Sequence, residues 1–178
     1  MAIQPQLLPP DKQLRWLIEH IPHRIRAVLP GLPMSVPWLL TSQKLVLEND
    51  ADRIAMRCSG NSAWEGRMTA MRWLIMFVGI QEENGVATET RLRKSTDVRI
   101  DFIKGGVTVT LSRPEALKMA RVWRGCSQAT SHPTQDTNHP DVREKSLAEA
   151  LGIVIDHLQR TIYSANGRSV LRDTLAAG

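Results

Sequence analysis

The chain has 178 residues, 42% hydrophobic and 23% charged, which suits one soluble globular domain with a core of its own. Its longest apolar run, Trp73 to Val78, is far shorter than the roughly 20 residues that span a bilayer, so no transmembrane helix is expected. A net charge of +5 and a pI near 9.7 favour acidic partners: nucleic acid, anionic lipid or an acidic protein surface.

The excess charge is uneven. Residues 51–125 carry 13 Lys and Arg against 8 Asp and Glu, whereas residues 126–178 carry 5 against 6. The opening MAIQPQLLPPDK has no basic start followed by an apolar core, so no signal peptide is expected. The two cysteines, Cys58 and Cys126, fit a reducing compartment better than a disulfide framework.

In chain order, residues 1–11 are rich in Pro and Gln and read as a mobile arm. From Lys12 to Leu29, Leu14, Leu17, Ile18, Ile21, Ile25, Val28 and Leu29 follow helical spacing, and Pro22 kinks or splits the segment. Arg15, His20, His23, Arg24 and Arg26 make one side basic. The segment therefore reads either as a helix lying on the core or as an amphipathic membrane anchor. The prolines of 30–37 exclude regular structure, and Val36, Trp38 and Leu39 form an apolar loop. That loop is either a partner contact or the entry to a core strand. Leu45–Leu47 and Ile54–Cys58 read as strands around a turn at 49–52.

Ser62 and Glu65 have the spacing of a capping box. The helix it opens carries Trp64, Met68, Met71, Leu74, Ile75, Phe77 and Val78 on its buried side and stops near Gly79. Residues 81–95 are polar. Arg91, Arg93 and Lys94, with Arg99 and Lys104, make the densest basic patch, a candidate contact for lipid headgroups, RNA or an acidic protein. No aromatic residue interleaves it, which weakens a reading as a single-strand nucleic-acid site.

Residues 97–111 read as a β-hairpin. Val98, Ile100 and Phe102 alternate with polar residues, Lys104-Gly105-Gly106 supplies the turn, and Val107, Val109 and Leu111 alternate again. Ser112 and Glu115 form a second capping box with Pro114 in the first turn. Ala116, Met119, Ala120 and Trp123 make that helix's apolar stripe, and Gly125 closes it. Residues 126–140 are then an exposed polar loop. Asp141 and Glu144 cap the last long helix, whose buried face is Leu147, Leu151, Val154, Leu158 and Ile162 and whose end is Asn166-Gly167. Cys126, His132, Asp136 and His139 match no zinc spacing, and a flexible polar loop collects such residues without a metal. No catalytic constellation or phosphate loop is recognisable, so neither an enzyme nor a cofactor is expected, and no small-molecule substrate.

The order IDFIKGGVTVTLS, EALKMARVWRG and DVREKSLAEALGIVIDHL resembles the C-terminal half of rhabdovirus matrix proteins over about residues 97–164. The matching residues are Lys104-Gly105, Trp123, Asp141, Arg143, Glu144, Lys145, Leu147 and Gly152-Ile153-Val154. The resemblance implies an α+β domain over 12–178, with a bent antiparallel sheet packed against helices, behind a flexible arm at 1–11. It also implies a structural protein that self-associates, binds anionic membrane, condenses the viral nucleocapsid and drives budding beneath the envelope, with an envelope glycoprotein tail among its partners. The family's Pro-Pro-x-Tyr budding motif is absent: Pro9-Pro10-Asp11-Lys12 lacks the tyrosine. Arg91, Arg93, Lys94, Arg99 and Lys104 are then the expected membrane or acidic-partner contacts. Ile3, Leu7 and Leu8 are the expected half of a self-association contact, with Val36, Trp38 and Leu39 bordering the groove that receives them. The alternative is a basic RNA-binding regulator such as a viral silencing suppressor, using residues 91–104.

Overall fold

The computed structural model describes residues 6–29, 50–90, 97–131, 142 and 144–176, with the backbone alone at 50–63, 128–131 and 144. The fold is α+β: among the described residues, helices accompanied by one two-stranded antiparallel sheet. Helix α1 (Pro10–Arg15) passes through a π turn (Trp16–His20) into α2 (Ile21–Val28). The 28-residue α3 (Asp50–Phe77) follows, then β1 (Ile80–Glu83) and β2 (Val86–Glu89). A single 3-10 turn (Ile100–Phe102) precedes α4 (Arg113–Ser131). The chain closes with α5 (Glu144–Leu158), a second π turn (Gln159–Tyr163) and α6 (Val170–Ala176).

Helix α3 is the central element, packing against α2, α4, α5 and β1. Its stripe buries Met68, Met71, Leu74, Ile75, Phe77 and Val78, while Trp64 is half-buried. These side chains form one cluster with Leu17, Ile21, Ile25 and Val28 of the N-terminal helices and with Leu147, Leu151, Val154, Leu158 and Ile162. The 12–29 segment is thus a helix on the core, and its apolar stripe is not available to a membrane. Leu14 departs from the stripe and is exposed.

The break at Pro22 has a definite form. In the π turn the Ile21 N–H donates to the Trp16 carbonyl, five residues back. Continuing that pattern, the Leu17 carbonyl would need a proton from Pro22, which has none. The Tyr163 hydroxyl supplies it instead, donating to the Leu17 carbonyl at 2.7 Å. Both residues are fully buried. Tyr163 itself lies in the second π turn, so the two irregular turns are joined to each other.

Several sequence expectations are corrected. The hairpin at 98–111 does not form. Phe102 and Ile103, adjacent in sequence, are both buried, and a strand cannot place neighbours on one face. The chain closes on itself within 100–106 instead, with Ile103 N–H to Ile100 O at 3.1 Å and Gly106 N–H to Ile103 O at 2.8 Å. The sheet lies earlier, in a stretch that the sequence marks only as polar: Glu83 pairs with Val86 across a two-residue turn. That turn is Asn84-Gly85, with φ of 54° and 85°, the paired positive values of the tightest hairpin turn.

The strand at Ile54–Cys58 is part of α3, and the Ser62–Glu65 box sits inside that helix rather than at its start. Ile54 and Cys58 stand four apart, so a short apolar segment fitted either period. Gly125 does not end α4, and residues 126–131 are helical rather than loop. Met119, Val122 and Cys126 continue the buried stripe past the glycine, and their burial outweighs its helix penalty of about 1 kcal/mol. Within the predicted arm, a helix begins at Pro10, and the Leu8 N–H donates to the Phe102 carbonyl at 2.9 Å.

Ser112 and Glu115 pair at the start of α4, with the carboxylate half of the expected box in place. Glu115 accepts from the Ser112 N–H at 2.9 Å and from its hydroxyl at 2.5 Å, and these bonds hold the carboxyl below the usual carboxylate range. Trp123 is half-buried rather than buried, its ring covered by Arg72.

Two substitutions test this packing by urea unfolding. Tyr163→Phe leaves the Leu17 carbonyl buried without a donor and should cost about 1–3 kcal/mol. Leu151→Ala should cost about 2–5 kcal/mol as a cavity on the last helix. Midpoints unchanged from the parent protein would mean that α5 and its π turn do not pack on the N-terminal helices.

Candidate functional site

Three distant segments meet at the loop that follows the 3-10 turn. The N-terminal segment contributes the Leu8–Phe102 bond, and Gln13 braces it twice. Gln13 Nε2 donates to the Leu8 carbonyl at 2.5 Å, and its Oε1 accepts from the Lys104 N–H at 2.8 Å. From the turn between the second π turn and α6, Asn166 Nδ2 donates to the Lys104 carbonyl at 3.1 Å and to the Ile162 carbonyl at 2.7 Å.

Gly105 makes this approach possible. Its φ is +81°, and a Cβ there would overlap the Ala165 side chain. Both backbone polar groups of Lys104 are therefore held by side chains of other elements, while its own side chain is exposed. Leu7, next to the Leu8 bond, is 57% exposed. The result is an exposed cation on a braced backbone, in a loop bonded to the segment that carries an exposed leucine.

Of the expected basic contacts, Lys104 alone is described as a free, exposed cation. Arg91, Arg93 and Lys94 lie outside the described residues. Arg99 is corrected: its side chain is only 12% exposed and is neutralised by Asp101 and Glu89, each at 2.7 Å. It also donates to the Thr90 carbonyl at 2.9 Å, tying together the two ends that flank residues 91–96. Arg99 is thus a brace rather than a contact, since a guanidinium already satisfied by two carboxylates has little left for an outside anion.

Of the expected self-association residues, Leu7 and Leu8 are brought beside Lys104, with Leu8 half-buried against its own chain. Ile3, Val36, Trp38 and Leu39 lie outside the described residues. Gln13 and Asn166, which do most to place Lys104, carried no sequence signal. A glutamine in a polar helix face and an asparagine before a glycine are both common.

The described tryptophans are all covered. Trp16, Trp73 and Phe77 stack with ring centroids 5.2–5.5 Å apart, and His20 lies 5.2 Å from Trp16. Arg24 covers Trp73 at 5.5 Å, Arg67 covers Trp64 at 5.1 Å and Arg72 covers Trp123 at 5.3 Å. The stacking of Trp16 on Trp73 and Phe77 and the Arg24–Trp73 and Arg72–Trp123 contacts join different helical elements, and each arginine occupies a ring face on which an unpaired base could stack.

Two buried groups have environments of their own. Burial beside Met68 pushes the Cys126 thiol up to about 12, so at neutral pH it is a protonated, inert side chain. His157 is buried, with Nε2 2.8 Å from the Val107 carbonyl. A carbonyl only accepts, so the ring carries its proton on Nε2. Desolvation holds its pKa below the ordinary 6.5, opposed by that hydrogen bond and by Asp156 and reinforced by Arg160.

Among the described residues, no group of three or more His, Cys, Asp or Glu could hold a metal ion, and no helix is long and apolar enough to cross a membrane. His132, Asp136 and His139 lie outside the described residues. No family model, curated protein or solved structure matches the chain.

The His157 environment sets a pH dependence. Between its lowered folded pKa and 6.5 the unfolded chain binds the extra proton, so stability is whole above 6.5 and falls as pH drops through that window. Urea midpoints taken below and above pH 6.5 should show this fall. His157→Gln, which can still donate to Val107, should flatten it; a variant with the parent's full pH dependence would assign the effect to other groups.

Proposed function

We propose that this protein is a matrix-type structural adaptor of an enveloped virus. It binds an anionic membrane from beneath, self-associates there and gathers the ribonucleoprotein. The observation that carries the reading is the loop at Lys104, whose backbone is fixed from both sides while its cation is exposed, tied through Gln13 and Phe102 to the segment that carries the exposed Leu7. A membrane interface takes up this combination, because the charge is drawn to anionic headgroups while the leucine enters the apolar boundary. The basic run Arg91, Arg93 and Lys94 starts one residue beyond Thr90, which Arg99 ties to the same loop. The resemblance to rhabdovirus matrix proteins supports the class. With the 98–111 hairpin absent, that support rests on the Trp123-bearing helix and on the residues from 141 to 154. Self-association and the nucleocapsid and glycoprotein-tail contacts belong to the proposal on the same ground.

Sedimentation with vesicles of phosphatidylserine and phosphatidylcholine tests the reading. Lys104→Ala should weaken binding by about 1 kcal/mol, roughly fivefold, with a smaller salt dependence. Leu7→Ser should weaken it without altering the salt dependence. Neutralising Arg91, Arg93 and Lys94 together should flatten the salt dependence further. Binding of double-stranded RNA with no vesicle binding would replace the adaptor with the RNA-binding regulator. Unchanged vesicle binding in all three variants would remove this region from the membrane.

A further inference from the structure

Helix α4 presents a row that the buried stripe does not use. Arg113, Leu117 and Arg121 recur every four residues and so lie along one face. Both arginines are exposed, and neither has a carboxylate partner among the described residues. Leu117, between them, is 55% exposed. Beside this row a cleft of about 270 Å³ opens between α4 and α5, lined by Pro114, Leu117, Lys118, Arg121, Val122 and Glu149. Lys118 and Glu149 pair across it at 2.6 Å and neutralise each other. The charge left in the lining is that of Arg121, with Arg113 one turn before Leu117 on the same face, and the accessible apolar lining is Pro114 and Leu117.

We propose that this cleft docks an acidic segment of a partner protein. One apolar side chain of that segment seats against Pro114 and Leu117, and flanking carboxylates meet Arg113 and Arg121. Three features select this occupant. The volume falls below the roughly 300–1,000 Å³ of pockets that enclose a small molecule, and suits a single side chain. Two unpaired guanidiniums a short way apart on one helix match carboxylates, which they bind in bidentate fashion. An exposed leucine between two unneutralised charges is the arrangement of an interface whose apolar centre is ringed by polar contacts. The proposal stands apart from the membrane reading, whose contacts are Leu7 and Lys104.

The probe is a short fluorescent peptide of glutamates around one leucine, read by anisotropy, with a second peptide carrying alanine in place of the leucine. The parent protein should bind the leucine peptide about tenfold more tightly than the alanine peptide. Arg113→Glu combined with Arg121→Glu should weaken leucine-peptide binding by about tenfold or more and reduce its salt dependence. Leu117→Ser should erase the preference for leucine over alanine while leaving the salt dependence in place. Arg172→Glu, which alters an exposed cation on α6, is the control for long-range charge and should leave binding near the parent value. All these positions are exposed, so the folded state should survive substitution, as thermal midpoints would verify. Equal binding of the two peptides, a loss in Arg172→Glu as large as in the α4 variant, or parent-like binding by the α4 variant would each overturn the proposal. So would displacement of the leucine peptide by double-stranded RNA of equal charge as readily as by unlabelled peptide.

Discussion

A missing proton at Pro22 governs how the two ends of this fold meet. The π turn at 16–20 moves each hydrogen bond one residue along, and the proline then leaves the Leu17 carbonyl without a backbone donor inside the protein. An unpaired buried carbonyl costs about 1–3 kcal/mol, so a donor must come from elsewhere. The Tyr163 hydroxyl is that donor, and it can reach because the last helix itself loosens into a π turn at 159–163. Around this bond, Leu17, Ile21 and Ile25 on one side and Leu158 and Ile162 on the other fall into a single core.

The same principle of holding backbone with side chains recurs at the surface. Gln13 and Asn166 fix Lys104, Arg99 fixes Thr90, and Gln159 accepts from Val170 N–H at 3.0 Å where α6 begins. The hairpin turn is tied in the same way, with Glu82 accepting from the Gly85 N–H and pairing with Arg124 of α4. Arg124 beside it holds the Glu82 carboxyl below the usual range. Much of the positive charge counted in the sequence is therefore spent on internal tasks. Arg99, Arg124 and Arg168 meet carboxylates, while Arg24, Arg67 and Arg72 cover tryptophans. What faces outward at Lys104, Arg113 and Arg121 is a residue of that count and not its total.

This explains which parts of the molecule were legible in the residues alone. Long stripes were: Met68 to Val78 and Leu147 to Ile162 are buried as their spacing requires, because only one period fits so many positions. The Ser112–Glu115 box was also legible, since its chemistry is local. Short apolar runs were not, and Ile54–Cys58 went to helix while Val98–Leu111 went to an irregular crossing. Two turns competed for the hairpin. Asn84-Gly85 had the better turn chemistry but poor strands beside it, IQEE and VATE; Lys104-Gly105-Gly106 had the better alternation but adjacent buried residues at Phe102-Ile103. Turn geometry prevailed over alternation. At the candidate site, the positive charge of Lys104 could be read from sequence, but its partners Gln13 and Asn166 could not, because they meet only through the tertiary fold.

The packing of the N-terminal helices has a consequence for synthesis on the ribosome. The chain's first amphipathic face, Leu17 to Val28, is covered by elements made later: α3, the second π turn and α6. Leu17 and its hydrogen-bond donor are 146 residues apart. At ordinary elongation rates that separation is on the order of ten seconds. During that interval the nascent chain carries an amphipathic segment whose apolar face has no cover, a form suited to capture by a chaperone. Native structure around Leu17 is completed only when Tyr163 has been made.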